Sequence, residues 1–291
     1  MLDNLPTLTE TVRQYNLAAD KSLGQHFLLD QNVTDKIARY AAPLDGVNVA
    51  EIGPGPGGLT RSLIRGGAKQ VLAIEMDERF LPALAEIGRA SKTNDGEDIL
   101  RVYKGNGLKV DISRELNGPI KIISNLPYNV GTKMLINWLT ARPVFWKQMV
   151  LMFQKEVAER VAAKAGTQHY GRLAILAQSV AHTQIVFDVP AKAFTPPPKV
   201  DSAVILLDPL PEAQRFEDLD TLGQVTHAAF IMRRKMLRRS LKTFAAKHNI
   251  DIQNWLEVAE IKPESRPETL TVDDFHRLTR YFIANRKPLK I

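Results

Sequence analysis

The chain has 291 residues, no cysteine, and 39 Lys and Arg against 32 Asp and Glu, a formal charge of +7. The length implies two domains, the absence of cysteine excludes disulfides, thiolate nucleophiles and cysteine-based metal sites, and the basic balance favours a polyanionic partner, nucleic acid first. The six His show no HExxH or similar spacing, so no metal is expected. No apolar run approaches the ~18 residues of a membrane span, and the opening MLDNLPTLTE carries acids, so a soluble cytoplasmic protein is expected.

In chain order, short β-branched runs predict strands at Val47–Ile52, Val71–Glu75, Ile99–Tyr103, Ile120–Ser124 and Met149–Phe153. Between them, LTRSLIRGGA and RFLPALAEIGRA carry apolar residues at helical spacing and end near Gly. This alternation predicts an α/β fold with a parallel sheet covered by helices. At VAEIGPGPGGLT, Gly53, Gly55 and Gly58 satisfy GxGxxG directly after a strand and directly before a helix, and Glu75 closes the next strand. The glycines allow a tight turn and close ligand approach, and the acid can accept from ribose hydroxyls. Dinucleotides and S-adenosylmethionine both fit. Glu51 together with the glycine composition looks more like the methyltransferase form, ExGxGxG. After the third strand comes KGNGLKVDI, with Asn106 placed where a nucleoside base is read.

The fourth strand runs into NLPY, Asn125–Tyr128. Asn and Pro commonly mark turns, yet each residue here also suits methyl transfer to an exocyclic amine. Such an amine is a poor nucleophile, because its lone pair is delocalised into the ring. Two acceptors on its hydrogens favour the pyramidal nitrogen of the transition state. The Asn125 oxygen is one, and the Leu126 carbonyl, held in extended geometry by Pro127, is the other. Tyr128 offers a face for a base lifted from its stack.

Further on, TQIVFDVP and SAVILLDP read as an antiparallel edge, and after Pro209 the patterns turn helical. The expected domains are therefore 1–208, Rossmann-like, and 209–291, smaller and all-helical. In Met232–Lys242, the bases Arg233, Arg234, Lys235, Arg238, Arg239 and Lys242 stand without an acid among them. On a helix they would meet phosphates while Met236, Leu237 and Leu241 pack inward. Lys192, Lys199 and Arg172 are candidates to extend that surface.

The motifs KSLGQHFLLD, VAEIGPGPGGLT, VLAIEMD, GNGLKVDI, ISNLPYNVGTKML, FTPPPKVDSAV and MRRKMLRRSL, spread over nearly the whole chain, resemble the ribosomal RNA adenine N6,N6-dimethyltransferase family, in particular its small-subunit (16S) members. The resemblance implies a Rossmann-like S-adenosylmethionine-dependent methyltransferase domain. The implied reaction transfers two methyl groups to each of two adjacent adenosines near the 3′ end of small-subunit rRNA, within a pre-30S particle, by a monomer in the cytoplasm, with S-adenosylhomocysteine as product. It also implies that His26 and Leu28 lie over the cofactor, Gly53 and Gly55 at its methionine end, Glu75 on the ribose, and Asn106 with Gly107 on its adenine. Asn125 lies between cofactor and target amine, Tyr128 stacks on the target base, and Phe194 offers a second stacking face.

Two positions depart from the family pattern: His26 replaces Asn and Asn106 replaces Asp, the latter predicting weaker cofactor binding. The alternatives are a large-subunit (23S) methyltransferase of the macrolide-resistance type, an NAD-dependent oxidoreductase with no use for NLPY, and a non-catalytic assembly or transcription factor on the same scaffold.

Overall fold

Aliphatic and β-branched runs form nine strands among the described residues, which in this computed structural model are 2–20, 25–93 and 95–286. The Lys21–Gly24 part of KSLGQHFLLD lies outside them. The strands are β1 (Phe27–Leu28), β2 (Asn48–Ile52), β3 (Gln70–Glu75), β4 (Leu100–Lys104), β5 (Ile120–Asn125), β6 (Trp146–Gln154), β7 (Ala181–Val189), β8 (Phe194–Thr195) and β9 (Ser202–Pro209). Seven make one sheet in the order β4-β3-β2-β5-β6-β9-β7. From β4 to β6 neighbours run parallel, and β9 is antiparallel to β6. A strand covered on both faces has no solvent side, which is why β2 is buried along its whole length.

The connectivity creates a crevice. The chain steps outward from β2 through β3 to β4, then returns to lay β5 on the other side of β2. The strand order therefore reverses between β2 and β5, and in sheets of this kind the carboxyl ends of such a pair open to ligands. The glycine turn follows β2 there, and NLPY begins at the end of β5. A separate two-residue ribbon pairs β1 with β8, Phe27 opposite Thr195 and Leu28 opposite Phe194.

Helix Gly58–Arg65 starts from Gly57, whose φ of 86° is costly for any residue with a Cβ. Every residue from Gly58 to Ile64 is buried. One of them is Arg61, whose guanidinium donates to the Pro6 carbonyl (2.6 Å) and the Thr11 hydroxyl (3.2 Å). These bonds hold the helix Leu8–Gln14, itself started by a Thr7–Glu10 capping box, against the glycine-turn helix.

The chain divides into two compact units, Met1–Ala158 with Gln184–Pro209, and Glu159–Thr183 with Leu210–Ile291. Residues 159–183, upstream of the boundary expected at 209, thus cluster with the second unit. The second unit contains helices Arg172–Gln178, Leu219–Ile231, Leu237–Ser240, Lys242–Lys247, Ile252–Val258 and Val272–Asn285, and among its described residues 210–286 form no strand. Its core is aromatic, with Phe244, Trp255 and Phe282 in mutual contact and the Trp255 indole donating to the Leu278 carbonyl at 2.9 Å.

The basic segment is not the expected continuous helix. Helix Leu219–Ile231 ends before it, 232–236 form a turn, and the Leu237 N–H is taken by the Ser265 carbonyl at 2.8 Å. Leu237 and Leu241 are buried as expected, whereas Met236 is exposed because the turn carries it outward.

Candidate functional site

Backbone hydrogen bonds tie the turns after β2, β3 and β4 together, and Glu75 is their hub. Its Oε2 accepts the Gly55 N–H (3.1 Å), its Oε1 accepts the N–H groups of Met76 and Asp77 (2.8 Å each), and its carbonyl accepts the Gly105 N–H (2.8 Å). Burial pushes the Glu75 carboxyl pKa up, against the lowering effect of those three N–H donors. On the other side of β2, the Ser124 hydroxyl donates to the Ile52 carbonyl at 2.7 Å, which fixes the end of β5 beside the glycine turn. A Cβ on Gly53 would lie 3.6 Å from the Pro127 ring, so the glycine turn and NLPY pack in direct contact.

His26, Leu28, Gly53, Gly55, Glu75, Asn106, Gly107, Asn125, Leu126, Pro127 and Tyr128 all line one pocket. Among the described residues no hydrogen bond is made to the Asn125 side chain or to the Leu126 carbonyl. Tyr128 is steadied from two directions: its hydroxyl is 2.6 Å from Ser202 Oγ, and its ring stacks on His26 at 5.6 Å between centroids. His26 in turn sets Nδ1 2.8 Å from the Pro196 carbonyl. Asn106 uses its Oδ1 to accept the Leu108 N–H at 2.9 Å.

Phe194 is placed differently. It is only 3% exposed, belongs to the hydrophobic core through β8, and is absent from the pocket lining. Its membership of FTPPPKV marks the segment but does not reveal which way the ring faces.

Several lining residues were not singled out from the sequence. Met76 follows Glu75 and stays exposed; Phe80 and Met134 add apolar walls; Gln25 donates to Asp77 at 2.9 Å. Glu51 also lines the pocket. Burial pushes its carboxyl up to about 8; the Thr60 hydroxyl, donating at 2.6 Å, opposes that, and the Glu75 charge adds to it. Glu51 was marked in the sequence by its ExGxGxG spacing, though not as a lining residue; for Met76 the signal was adjacency to Glu75.

The pocket suits a nucleoside with a charged tail. Glycine backbone lies at one part, the Glu75 carboxyl at the next, and the Asn106 amide beside apolar side chains beyond it. At Gly107 a Cβ would come within 2.7 Å of Ile52 and 3.1 Å of Met134, so this wall closes tightly. Among the described residues no group of three or more His, Asp or Glu could hold a metal ion.

Residues 16–284 match the family described as ribosomal RNA adenine dimethylase. The chain belongs to this family. A curated relative from Maricaulis maris, named ribosomal RNA small subunit methyltransferase A, is 49% identical over 285 residues, covering 97% of each chain. Among solved structures, a dimethyladenosine transferase from Plasmodium falciparum superposes with a TM-score of 0.75 at 28% identity, covering 89% of this chain and 98% of that one. The 23S rRNA methyltransferase ErmE superposes with a TM-score of 0.65 at 22% identity, covering 87% of this chain and 98% of that one, a likeness of fold alone. Membership in the dimethylase family removes the oxidoreductase alternative.

The bases proposed for RNA lie in the second unit. Arg233 pairs with Glu268 (3.3 Å) and donates to the Gln168 carbonyl (2.7 Å), and Arg238 lies 3.8 Å from Glu264. The expectation that all these bases lack acidic partners is therefore corrected, since the fold brings in acids distant in sequence. Arg234, Lys235, Arg239 and Lys242 are exposed and form no ion pair with the described residues. Arg172, Lys192 and Lys199 are also exposed.

Proposed function

We propose that the protein uses S-adenosylmethionine to dimethylate N6 of two adjacent adenosines near the 3′ end of small-subunit rRNA, leaving S-adenosylhomocysteine and contributing to ribosome biogenesis. The observation that carries this reading is that Asn125 and Leu126, whose oxygens take no hydrogen bond from the described residues, line the same pocket as the glycine turn, Glu75 and Asn106. The near-full-length similarity to a small-subunit enzyme favours that target over the large-subunit alternative. The substrate is taken to be rRNA within a pre-30S particle, met by a monomer in the cytoplasm.

When bound, the cofactor supplies an electrophilic methyl group. The chain does the rest by positioning. Gly53 and Gly55 let the backbone approach the methionine end, Glu75 accepts from the ribose, and Asn106 with Gly107 borders the base, with His26 and Leu28 covering the opposite side. Asn125 Oδ1 and the Leu126 carbonyl accept the two amine hydrogens and stabilise positive charge as it develops on nitrogen. Neither is a base, so the proton released after transfer goes to water. The monomethylated amine keeps one hydrogen, and one acceptor is enough to aim it for the second transfer. Tyr128 supports the base, Pro127 holds the Leu126 carbonyl, and Phe194 is the proposed second stacking face, a role that requires its ring to be uncovered as the base enters.

The test is incubation with labelled S-adenosylmethionine and undermethylated small subunits, beside large subunits, followed by mapping of dimethyladenosine. Label is expected in small-subunit RNA. Asn125→Ala should lower turnover by roughly 100-fold or more, the scale of removing one transition-state hydrogen-bond partner. Absence of small-subunit label, equal labelling of large subunits, or a wild-type rate for Asn125→Ala contradicts the proposal.

A further inference from the structure

Tyr128 leans on a segment far from it in sequence. FTPPPKVDSAV reaches it by two routes, both inside the first unit. At one end of the segment, Ser202 Oγ lies 2.6 Å from the Tyr128 hydroxyl; Ser202 is fully buried, and among the described residues its hydroxyl has no other partner. At the other end the route runs through His26. The Pro196 carbonyl lies 2.8 Å from His26 Nδ1, and since a carbonyl only accepts, Nδ1 carries the hydrogen and the bond fixes the imidazole. The ring held in this way stacks on Tyr128, with 5.6 Å between centroids and 30° between planes. The β1–β8 ribbon brings the partners together: Phe27 pairs with Thr195, and His26 and Pro196 are the next residues outward on the two strands.

We propose that His26 and Ser202 are positioning residues for Tyr128, and through it for methyl transfer, a role of His26 separate from any cover it gives the cofactor. This rests on reading Tyr128 as the support of the target base. Pro127 restrains the backbone before Tyr128 but leaves the ring its own two torsions. A stack against the ring and a hydrogen bond at its tip remove that freedom before the base arrives, and a supporting ring that wanders by an ångström misaligns the amine it holds. An Asn at position 26 could donate to the Pro196 carbonyl but has no ring to place against Tyr128; His does both. The ribbon of two-residue strands thereby gains a use, since it sets His26 beside the aromatic residue it steadies.

The experiment measures kcat of the full chain on undermethylated small subunits at saturating S-adenosylmethionine, with S-adenosylhomocysteine affinity by calorimetry and a melting curve for each variant. Ser202→Ala and Tyr128→Phe should each lower kcat by about threefold to tenfold, the scale of one hydrogen bond, with cofactor-product affinity within about threefold of wild type. The double variant should be no slower than the slower single, because both changes remove the same bond. His26→Ala should lower kcat by about tenfold, the scale of an aromatic contact with a hydrogen bond, and His26→Phe, which restores a ring without the donor, should recover part of that loss. Tyr128→Ala should be slower than any of these. A multiplicative fall in the double variant, a wild-type kcat in Ser202→Ala, or a wild-type kcat in folded His26→Ala overturns the proposal, and the Ser202 and Tyr128 variants carry the test if His26→Ala does not fold. A wild-type rate for Tyr128→Ala, or no transfer by the wild type itself, removes instead the reading of Tyr128 on which the inference rests.

Discussion

Burial acts strongly on Glu51. It is 2% exposed, has one hydroxyl donor, Thr60, and is paired with no cation among the described residues. Its folded pKa of about 8 lies above the ordinary 4.5, so between those values the folded state holds a proton that the unfolded chain has lost. The stability it contributes is full below the unfolded value and is lost as pH rises through the folded one. Glu51→Gln keeps the shape and the Thr60 partner but cannot ionise. Its stability should match wild type near pH 4.5 and exceed it near pH 9 by on the order of 4 kcal/mol. Chemical denaturation of both proteins across that range decides it, and parallel profiles would show that Glu51 does not stay neutral. The ExGxGxG spacing located this residue, but its neutrality depends on the cover provided by helix Gly58–Arg65, which no spacing reports.

Among elements, legibility followed how local the cause was. The parallel strands were readable because a strand buried on both faces must be a continuous apolar run, and the glycine turn was readable because only certain residues make it. The β1–β8 ribbon was not, since two-residue strands carry no period, and its pairing joins segments far apart in the chain. The 232–236 turn was hidden for the opposite reason: Arg, Lys, Met and Leu are good helix formers, and the break depends on a distant carbonyl, that of Ser265. NLPY could be placed beside the pocket because it follows a strand next to the glycine turn, whereas the inward turn of Phe194 depends on packing. The glycine turn also gives a sharp test. At Gly57, φ is 86° and a Cβ would lie 2.2 Å from Ile87 Cδ1. Backbone strain and overpacking together should make Gly57→Ala less stable by on the order of 3 kcal/mol. Urea unfolding measures this, and a loss under about 0.5 kcal/mol, the size of an ordinary surface change, would mean the turn is not held as described.

At the scale of the whole molecule, the net charge of +7 is not evenly useful. Pairing with Glu268 and Glu264 ties down Arg233 and Arg238, so within 232–242 the bases without an acidic partner among the described residues are Arg234, Lys235, Arg239 and Lys242, which the proposed function makes its RNA contacts. The pocket residues all belong to the first unit and these four bases to the second. RNA affinity and cofactor affinity should therefore separate by mutation. Replacing the four bases with Gln should make the log–log dependence of RNA affinity on salt shallower by about 3, since each lost phosphate contact removes roughly 0.7 to 0.9 of slope. Arg233→Gln should change the slope less, because its charge is already partly neutralised within the unit. S-adenosylmethionine affinity should stay unchanged in both variants. Filter binding of small-subunit rRNA over a range of salt, with calorimetry for the cofactor, distinguishes the outcomes: an unaltered slope in the four-base variant would place the RNA contacts elsewhere on the chain, and a parallel loss of cofactor binding would show that the substitutions disturb the fold rather than an RNA surface.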